Sequence, residues 1–329
     1  NSRLKGQITA LYQATDDLRE RGGNEIIITG DLFHTRGSLA PSVLNPVFET
    51  FNDLSGQGFN ITILAGNHDL ESSDSHCNTS AISSLAKLRN VVAVASPLSG
   101  TNCVFIPWCP SLSELENTIT RMKDFREEKL KGCVSPLSET DLFIHAPVSE
   151  VVPGLGGIDP NRLAAFGFRR VFAGHYHNHK SFLNDKVISV GALTHQTWGD
   201  VESKAGYIMA YNDHIEHYET SAPKFVDLDE TMTGSIASLV KGNYVRVKGD
   251  FYDYADIEKM RSELVSEGAL GCVFPPVKPK VKTRSTTTTL ATSGGLKATI
   301  LSSIEKNAAL ETLCSNIYDK AVEVSCEDH

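Results

Sequence analysis

Short apolar runs that end in glycine and then a polar side chain constrain this chain more than any other feature. Glu25-Ile26-Ile27-Ile28-Thr29 leads into Gly30-Asp31, and Asn60-Ile61-Thr62-Ile63-Leu64 leads into Ala65-Gly66-Asn67-His68-Asp69. Further along, Phe143-Ile144-His145 closes a third run, and Phe172-Ala173-Gly174 opens onto His175-Tyr176-His177-Asn178-His179. Runs this short, bounded by glycine, read as strands. Their lack of polar alternation marks sheets covered on both faces. In such layered α/β folds, ligands and catalytic groups gather where strands end.

Helical signals fall between the strands. Leu4, Ile8, Leu11 and Leu18 share one helical face that stops at Gly22-Gly23, and Leu44, Val47, Phe48, Phe51 and Leu54 share another that stops near Gly56 and Gly58. More strands are expected at 91–96, 102–109, 141–146, 170–175, 186–192, 205–211 and 214–219. So many strands with few helices predict an α/β (α+β) domain over residues 1–222: two packed mixed sheets flanked by helices. Residues 223–274 read as a small capping α/β unit, with a strand at Tyr244-Val245-Arg246-Val247, a helix carrying Ile257, Met260 and Leu264, and a strand at 270–274. Residues 275–295, basic and rich in Thr, Ser and Gly, read as a flexible linker. A last helix over about 296–323 carries Leu301, Ile304, Leu310, Leu313 and Ile317, an apolar stripe that reads as a partner-docking element within 296–329.

Composition limits the function classes. The net charge of −9 argues against holding nucleic acid by bulk electrostatics, yet bound cations add positive charge locally where a phosphate must sit. No stretch approaches the roughly 18 consecutive apolar residues of a membrane span, so no membrane association is expected. The 7 cysteines are scattered with no C-x-x-C pair, as in a reducing cytoplasm, and Cys103 and Cys109 read as buried free thiols. The start, Asn1-Ser2-Arg3-Leu4-Lys5, shows neither a signal peptide nor an initiating Met and reads as a helix already under way.

Taken singly, a strand-end Gly-Asp is usually a turn, and a lone histidine such as His145 is usually a satisfied core residue. Taken together, Asp31, Asn67-His68-Asp69, His145, His175 and His177 gather carboxylate, amide oxygen and imidazole at strand ends, a mixed oxygen and nitrogen set suited to Mn²⁺, Fe²⁺ or Zn²⁺ rather than Ca²⁺.

Gly30-Asp31, Gly66-Asn67-His68-Asp69, His145 and Gly174-His175-Tyr176-His177 resemble the motifs of the calcineurin-like metallophosphoesterase superfamily. Gly30-Asp31-Leu32-Phe33-His34 with Arg36 and Pro41 resembles its SbcD-type nuclease subunits of double-strand-break repair. The stretch from Gly174 through Gly191-Ala192-Leu193-Thr194-His195 to Asp200 is similar to bacteriophage versions. The resemblance implies a four-layer sandwich and a 3'-5' exonuclease and single-strand endonuclease using two divalent ions, Mn²⁺ above Fe²⁺, Zn²⁺ or Mg²⁺. It implies that Asp31 bridges both ions, that Asn67, His145 and His175 complete one site, and that His177 serves the other. His68 would stand beside the scissile phosphate with Asp69 orienting it, and His34 would help place that phosphate. His195 and Arg36 are weaker candidates for substrate contact, while His76, His214 and His217 read as ordinary surface residues. The implied partners are DNA, an SbcC-like ABC-type ATPase with a coiled coil, and a second copy in a homodimer, in the cytoplasm of a phage's host.

The family opens with an Asp-x-His at the end of a first strand, and this chain begins after that point; the motif is expected within about 20 residues upstream of Asn1. Two other functions fit the same residues. One is a phosphatase or phosphodiesterase of the same superfamily, although Leu32-Phe33-His34-Thr35-Arg36-Gly37 differs from the Val-Asp-Arg-Gly-like tail of protein phosphatases. The other is a non-catalytic scaffold that docks a repair ATPase.

Overall fold

A computed structural model describes residues 2–34, 36–72, 80–229 and 236–278. Most of the expected linker and the whole of the expected last helix lie outside the described residues, as does His76.

Helix α1 (Ser2–Glu20) and helix α2 (Pro41–Gly56) flank strand β1 (Glu25–Ile28), and strands β2 (Asn60–Leu64) and β3 (Val91–Val94) follow. The three strands pair in parallel in that order, with Ile26 opposite Ile61 and Ile61 opposite Val91. Parallel pairing requires a crossover, and α2 supplies it between β1 and β2. Pro41 occupies the first turn of α2, where its missing N–H has no partner to lose. Val47, Phe51 and Leu54 of α2 pack with Phe59, Ile61 and Ile63, while Leu4, Leu11 and Leu18 of α1 close the edge. Phe48, expected on that buried face, lies at its rim and is 36% exposed.

The second sheet is larger. Strands β4 (Leu98–Ser99), β5 (Cys103–Ile106), β6 (Asp141–His145), β7 (Arg170–Gly174), β8 (Lys180–Phe182) and β9 (Val187–Ser189) run in the order β4-β5-β6-β7-β9-β8. Its four inner strands are parallel, and β4 and β8 close the edges antiparallel. Helix α3 (Leu112–Lys129) joins β5 to β6, and helix α4 (Pro160–Ala165) joins β6 to β7. Leu115, Ile119 and Leu163 from these helices pack on Val104, Leu142 and Ile144. The opposite face carries Phe105, Phe143, Phe172 and Ile188, which meet Leu64 and Val94 of the first sheet. Every residue of β6 and β7 is consequently buried. The result is helices, sheet, sheet, helices, the layered sandwich expected from the apolar runs.

A hairpin of β10 (Gly206–Ala210) and β11 (Ile215–Glu219) adds Ile208 and Ile215 to the inter-sheet core. Last comes a small parallel sheet of β12 (Phe225–Leu228), β13 (Tyr244–Val247) and β14 (Gly271–Val273), with helix α5 (Ala237–Val240) and helix α6 (Tyr254–Ser266) between its strands. It has its own core of Leu228, Val240, Val245, Val247 and Leu264. Met260, expected beside Ile257 and Leu264 on the inner side of α6, is 36% exposed. Among the described residues no helix is long and apolar enough to cross a membrane.

The carboxyl ends of the strands from the two large sheets are tied together directly. The Nδ1–H of His145, at the end of β6, donates to the carbonyl of Thr29 just past β1 at 2.7 Å. The Trp108 amide donates to the Ala65 carbonyl past β2 at 2.9 Å. Gly174 closes β7 against Thr29 so tightly that a Cβ there would stand 2.2 Å from the Thr29 carbonyl oxygen.

Candidate metal centre

At the end of β1 the backbone turns through Gly30, with φ 104°, into Asp31, with φ 55°. A Cβ on Gly30 would lie 2.1 Å from His145 Nδ1, and one on Gly66 would lie 2.2 Å from Asp31 Oδ1. Only glycine lets the two loops and the imidazole close to these distances. A left-handed backbone is unfavourable for a non-glycine residue by about 1–3 kcal/mol and persists where the surroundings enforce it. Asp31 and His175, with φ 126°, both show it. Asp31 Oδ1 accepts the His68 amide at 2.8 Å, and Oδ2 stands 3.4 Å from His145 Nε2. Burial pushes the Asp31 carboxyl up, but His145 and the His68 amide outweigh it and hold the group below the usual carboxylate range.

Asn67 Oδ1 is 3.1 Å from His145 Nε2 and 3.1 Å from His175 Nδ1. His145 already spends its Nδ1 proton on the Thr29 carbonyl, which can only accept. A proton on Nε2 is what steadies the Asp31 carboxylate; once that proton leaves, as a metal requires, Nε2 turns a lone pair toward two oxygens, those of Asp31 and Asn67. Asp31, His145 and His175 bring one ligand atom each to within 4.8 Å of one another. Lone pairs crowded in this way repel unless a cation sits among them, and Asp31, Asn67, His145 and His175 are the donors one would use. Burial, aided by nearby His145, lowers His175 to a pKa of about 4, so the ring is neutral at neutral pH and has one lone pair to offer a cation. Trp108 stacks on His175 at 5.4 Å between centroids and meets His145 edge-on at 6.0 Å, which fixes both rings.

His68 and His34 stack beside this cluster at 5.1 Å between centroids. His68 Nδ1 sits 3.0 Å from the His34 carbonyl, so it carries the proton and leaves Nε2 free. This corrects the role expected of Asp69. Its buried carboxylate accepts the amides of Gly66 at 2.9 Å, Phe33 at 2.9 Å and Leu32 at 3.3 Å, so it ties the loops after β1 and β2 together, and His34 orients His68. Arg36 is exposed, and its Nε donates to the Asn67 carbonyl at 2.8 Å, which braces the Asn67 loop from outside.

A family model described as calcineurin-like phosphoesterase matches residues 4–179, just over half of the chain. The chain belongs to the calcineurin-like phosphoesterase family. It is also similar to "Exonuclease subunit 1" of Enterobacteria phage T4, with 23% identity over 255 residues that cover 76% of this chain and 68% of that protein. Membership makes this phosphoesterase a hydrolase of phosphoester bonds that works with divalent metals.

In this phosphoesterase the fifth expected ligand, His177, is held differently. Its Nδ1–H donates to Asp200, at 2.9 Å from one carboxylate oxygen and 3.2 Å from the other. The Asp200 hydrogen bond holds His177 above the usual imidazole range, and the Asp31 charge acts in the same direction. With Nδ1 occupied, Nε2 is the atom left for a metal, the carboxylate–histidine arrangement common in metal sites. The sequence alone assigned Asp200 no role of its own, and its local signal is the Thr197-x-x-Asp200 capping spacing.

His195 is not placed for substrate. It is 5% exposed, its Nε2–H donates to the Ser203 carbonyl at 3.0 Å, and its Nδ1 accepts the Phe225 amide at 3.1 Å. Both ring nitrogens are thus spent on the fold. His217 is no ordinary surface residue either, since it is half-buried and stacks on His179 at 4.1 Å between centroids. Cys103 and Cys109, expected to be buried, are half-buried free thiols, with Cys109 pushed by burial to about 11.

Proposed function

We propose that this phosphoesterase is a DNA nuclease subunit of a recombination-repair complex, cutting phosphodiester bonds as a 3'-5' exonuclease and single-strand endonuclease. The observation that carries the reading is the convergence of Asp31 Oδ2, Asn67 Oδ1, His145 Nε2 and His175 Nδ1 beside an imidazole, His68, that is not spent on them. Two divalent ions, Mn²⁺ being the best match to this oxygen and nitrogen set, would polarise the phosphate and make hydroxide available near neutral pH. Asp31, Asn67, His145 and His175 would hold one ion, and Asp31 with His177 would serve the second.

The side chains divide the remaining work. Asp31 supplies the negative charge that two nearby dications require, which a neutral side chain would not. Trp108 keeps water off one face of His175 and fixes its ring. His68, with Nδ1–H on the His34 carbonyl, has Nε2 unspent, and in the doubly protonated ring the Nε2 proton is the one it can give to the leaving oxygen. His34, stacked on His68, is exposed and available to a phosphate. Arg36 contributes through the Asn67 loop and its exposed positive charge.

Nuclease is favoured over phosphatase by the Leu32-Phe33-His34 tail after Asp31, which puts an imidazole against His68, and by the name of the phage T4 relative. That name, a subunit, supports a partner as well, for which an ATPase with a coiled coil and a second copy of the chain are the candidates. The test is a side-by-side assay in Mn²⁺ of labelled single-stranded DNA, duplex DNA and a phosphopeptide, with a chelator control. Metal-dependent DNA cleavage with an intact phosphopeptide is expected. Dephosphorylation of the peptide with intact DNA would replace this reading with a phosphatase, and inertness toward all three with a scaffold.

A further inference from the structure

The Thr194–Asp200 loop touches three parts of the molecule. From α1, Arg3 Nη2 donates to the Gln196 carbonyl at 2.6 Å and Gln7 Nε2 to Gln196 Oε1 at 3.0 Å. From the small β12–β13–β14 sheet, Phe225 meets the Trp198 ring at 4.6 Å, and the Arg246 guanidinium lies over the same ring at 5.0 Å. Arg246 is itself fixed by both carboxylate oxygens of Asp227, at 2.6 and 2.7 Å. Two residues beyond Trp198, buried Asp200 accepts the Nδ1–H of His177.

Trp198 and Asp200 belong to one 3-10 turn, Trp198–Asp200, closed by a capping box with Thr197. Asp200 Oδ2 also accepts the amides of Gln196 at 2.6 Å and Thr197 at 2.8 Å. The carboxylate therefore cannot follow His177 by itself; it goes where its turn goes, and the turn goes where Trp198 is seated. We infer that Trp198 is a positioning residue that transmits the seat of the β12–β13 unit, through Asp200, to the orientation of His177. The inference rests on His177 being a metal ligand in the function proposed above. Its consequence is that a shift of the small sheet against the sandwich alters metal binding without touching a ligand. Loss of such an outer partner typically weakens metal binding roughly 10- to 100-fold.

The test is calorimetric titration of the full chain with Mn²⁺ alone, which needs no DNA and no activity. His177→Ala defines the binding event that depends on His177. Trp198→Ala is expected to weaken that same event roughly 10- to 100-fold, as Asp200→Asn does, while the event that survives in His177→Ala is unchanged. Trp198→Phe should restore most of the loss, because an aromatic ring again fills the place between Phe225 and Arg246. Leu239→Ala, at an exposed position of α5, should bind as wild type. Wild-type binding by Trp198→Ala overturns the inference, as does equal weakening by Leu239→Ala. Should Trp198→Ala fail to fold by circular dichroism, Arg246→Ala decides: removing the cation from the ring is expected to weaken the event about two- to fivefold, and unchanged affinity overturns the inference. A His177→Ala titration identical to wild type removes the ligand assignment itself, which is a different failure from a silent Trp198.

Discussion

At the scale of single residues, this centre is built from backbone as much as from side chains. Asp31 and His175 adopt left-handed φ values, and Gly30 and Gly66 leave space that any Cβ would fill. Asp31, Asn67 and His175 stand out in the sequence because each follows a glycine at a strand end, and His145 because it closes an apolar run, both local signatures. What was not legible is who holds them: Thr29 through its carbonyl, Trp108 through its ring, and Asp200 from a loop 23 residues beyond His177. The same blindness assigned Asp69 to its sequence neighbour His68 and gave His195 a place at the substrate. Asp31→Asn should bring hydrolysis of every substrate to background, because the charge shared by two ions is gone. His68→Gln should keep the metals, measured by calorimetry, while the turnover rate falls roughly 10²- to 10⁴-fold, the usual worth of one general acid. Loss of metal in His68→Gln would make His68 a ligand.

The pH dependence also belongs here. His175 is held near 4 by burial, so it offers its lone pair throughout the neutral range. His177 is raised by Asp200, and a proton on its Nε2 occupies the lone pair a metal needs. Metal occupancy at His177 should therefore rise as pH increases from about 6 to about 8, while occupancy at His175 stays constant. In the metal-free protein the sign reverses: the protonated His177–Asp200 pair stabilises the fold fully below the unfolded imidazole pKa, and that contribution is lost as pH rises through the raised folded value. Metal titrations at stepped pH, beside urea unfolding of the chelated protein, check both directions.

At the scale of elements, the apolar strands were legible and α3 was not. Its sequence, Leu112–Lys129, is dominated by charged and polar residues, and only Leu115 and Ile119 reach the core as fully buried apolar side chains. Much of its anchoring is polar instead. Arg126, 3% exposed, donates to Ser99 Oγ and the Gly100, Thr101 and Ser135 carbonyls, and to Thr140 Oγ1, which ties the helix to the turn between β4 and β5 and to the approach to β6. A hydrophobic period cannot reveal an element fastened this way. Replacing Arg126 by Ala would leave several buried acceptors without a donor and should lower stability by roughly 2–4 kcal/mol, measured by urea unfolding. Metal affinity should not change, since α3 supplies no ligand. Strand β12 escaped notice for a different reason: its four residues, Phe225–Leu228, include Asp227, which is there to clasp Arg246 and Lys248.

At the scale of the whole molecule, two sheets with parallel inner strands explain why residues from 31 to 177 meet at one edge. Parallel strands present their carboxyl ends together, and the inter-sheet core of Leu64, Phe105, Phe143 and Phe172 presses the two sets of ends against each other. The net charge of −9 is consistent with this plan, because attraction for a phosphate is delegated to ions at one place rather than spread over the surface. The central claim is that Asp31, Asn67, His145 and His175 surround a divalent cation. Diffraction from crystals grown in Mn²⁺, with data collected at the manganese absorption edge, tests it most directly. An anomalous peak is expected within about 2.0–2.4 Å of Asp31 Oδ2, Asn67 Oδ1, His145 Nε2 and His175 Nδ1. A fully occupied peak elsewhere, with these four atoms bare, would contradict it.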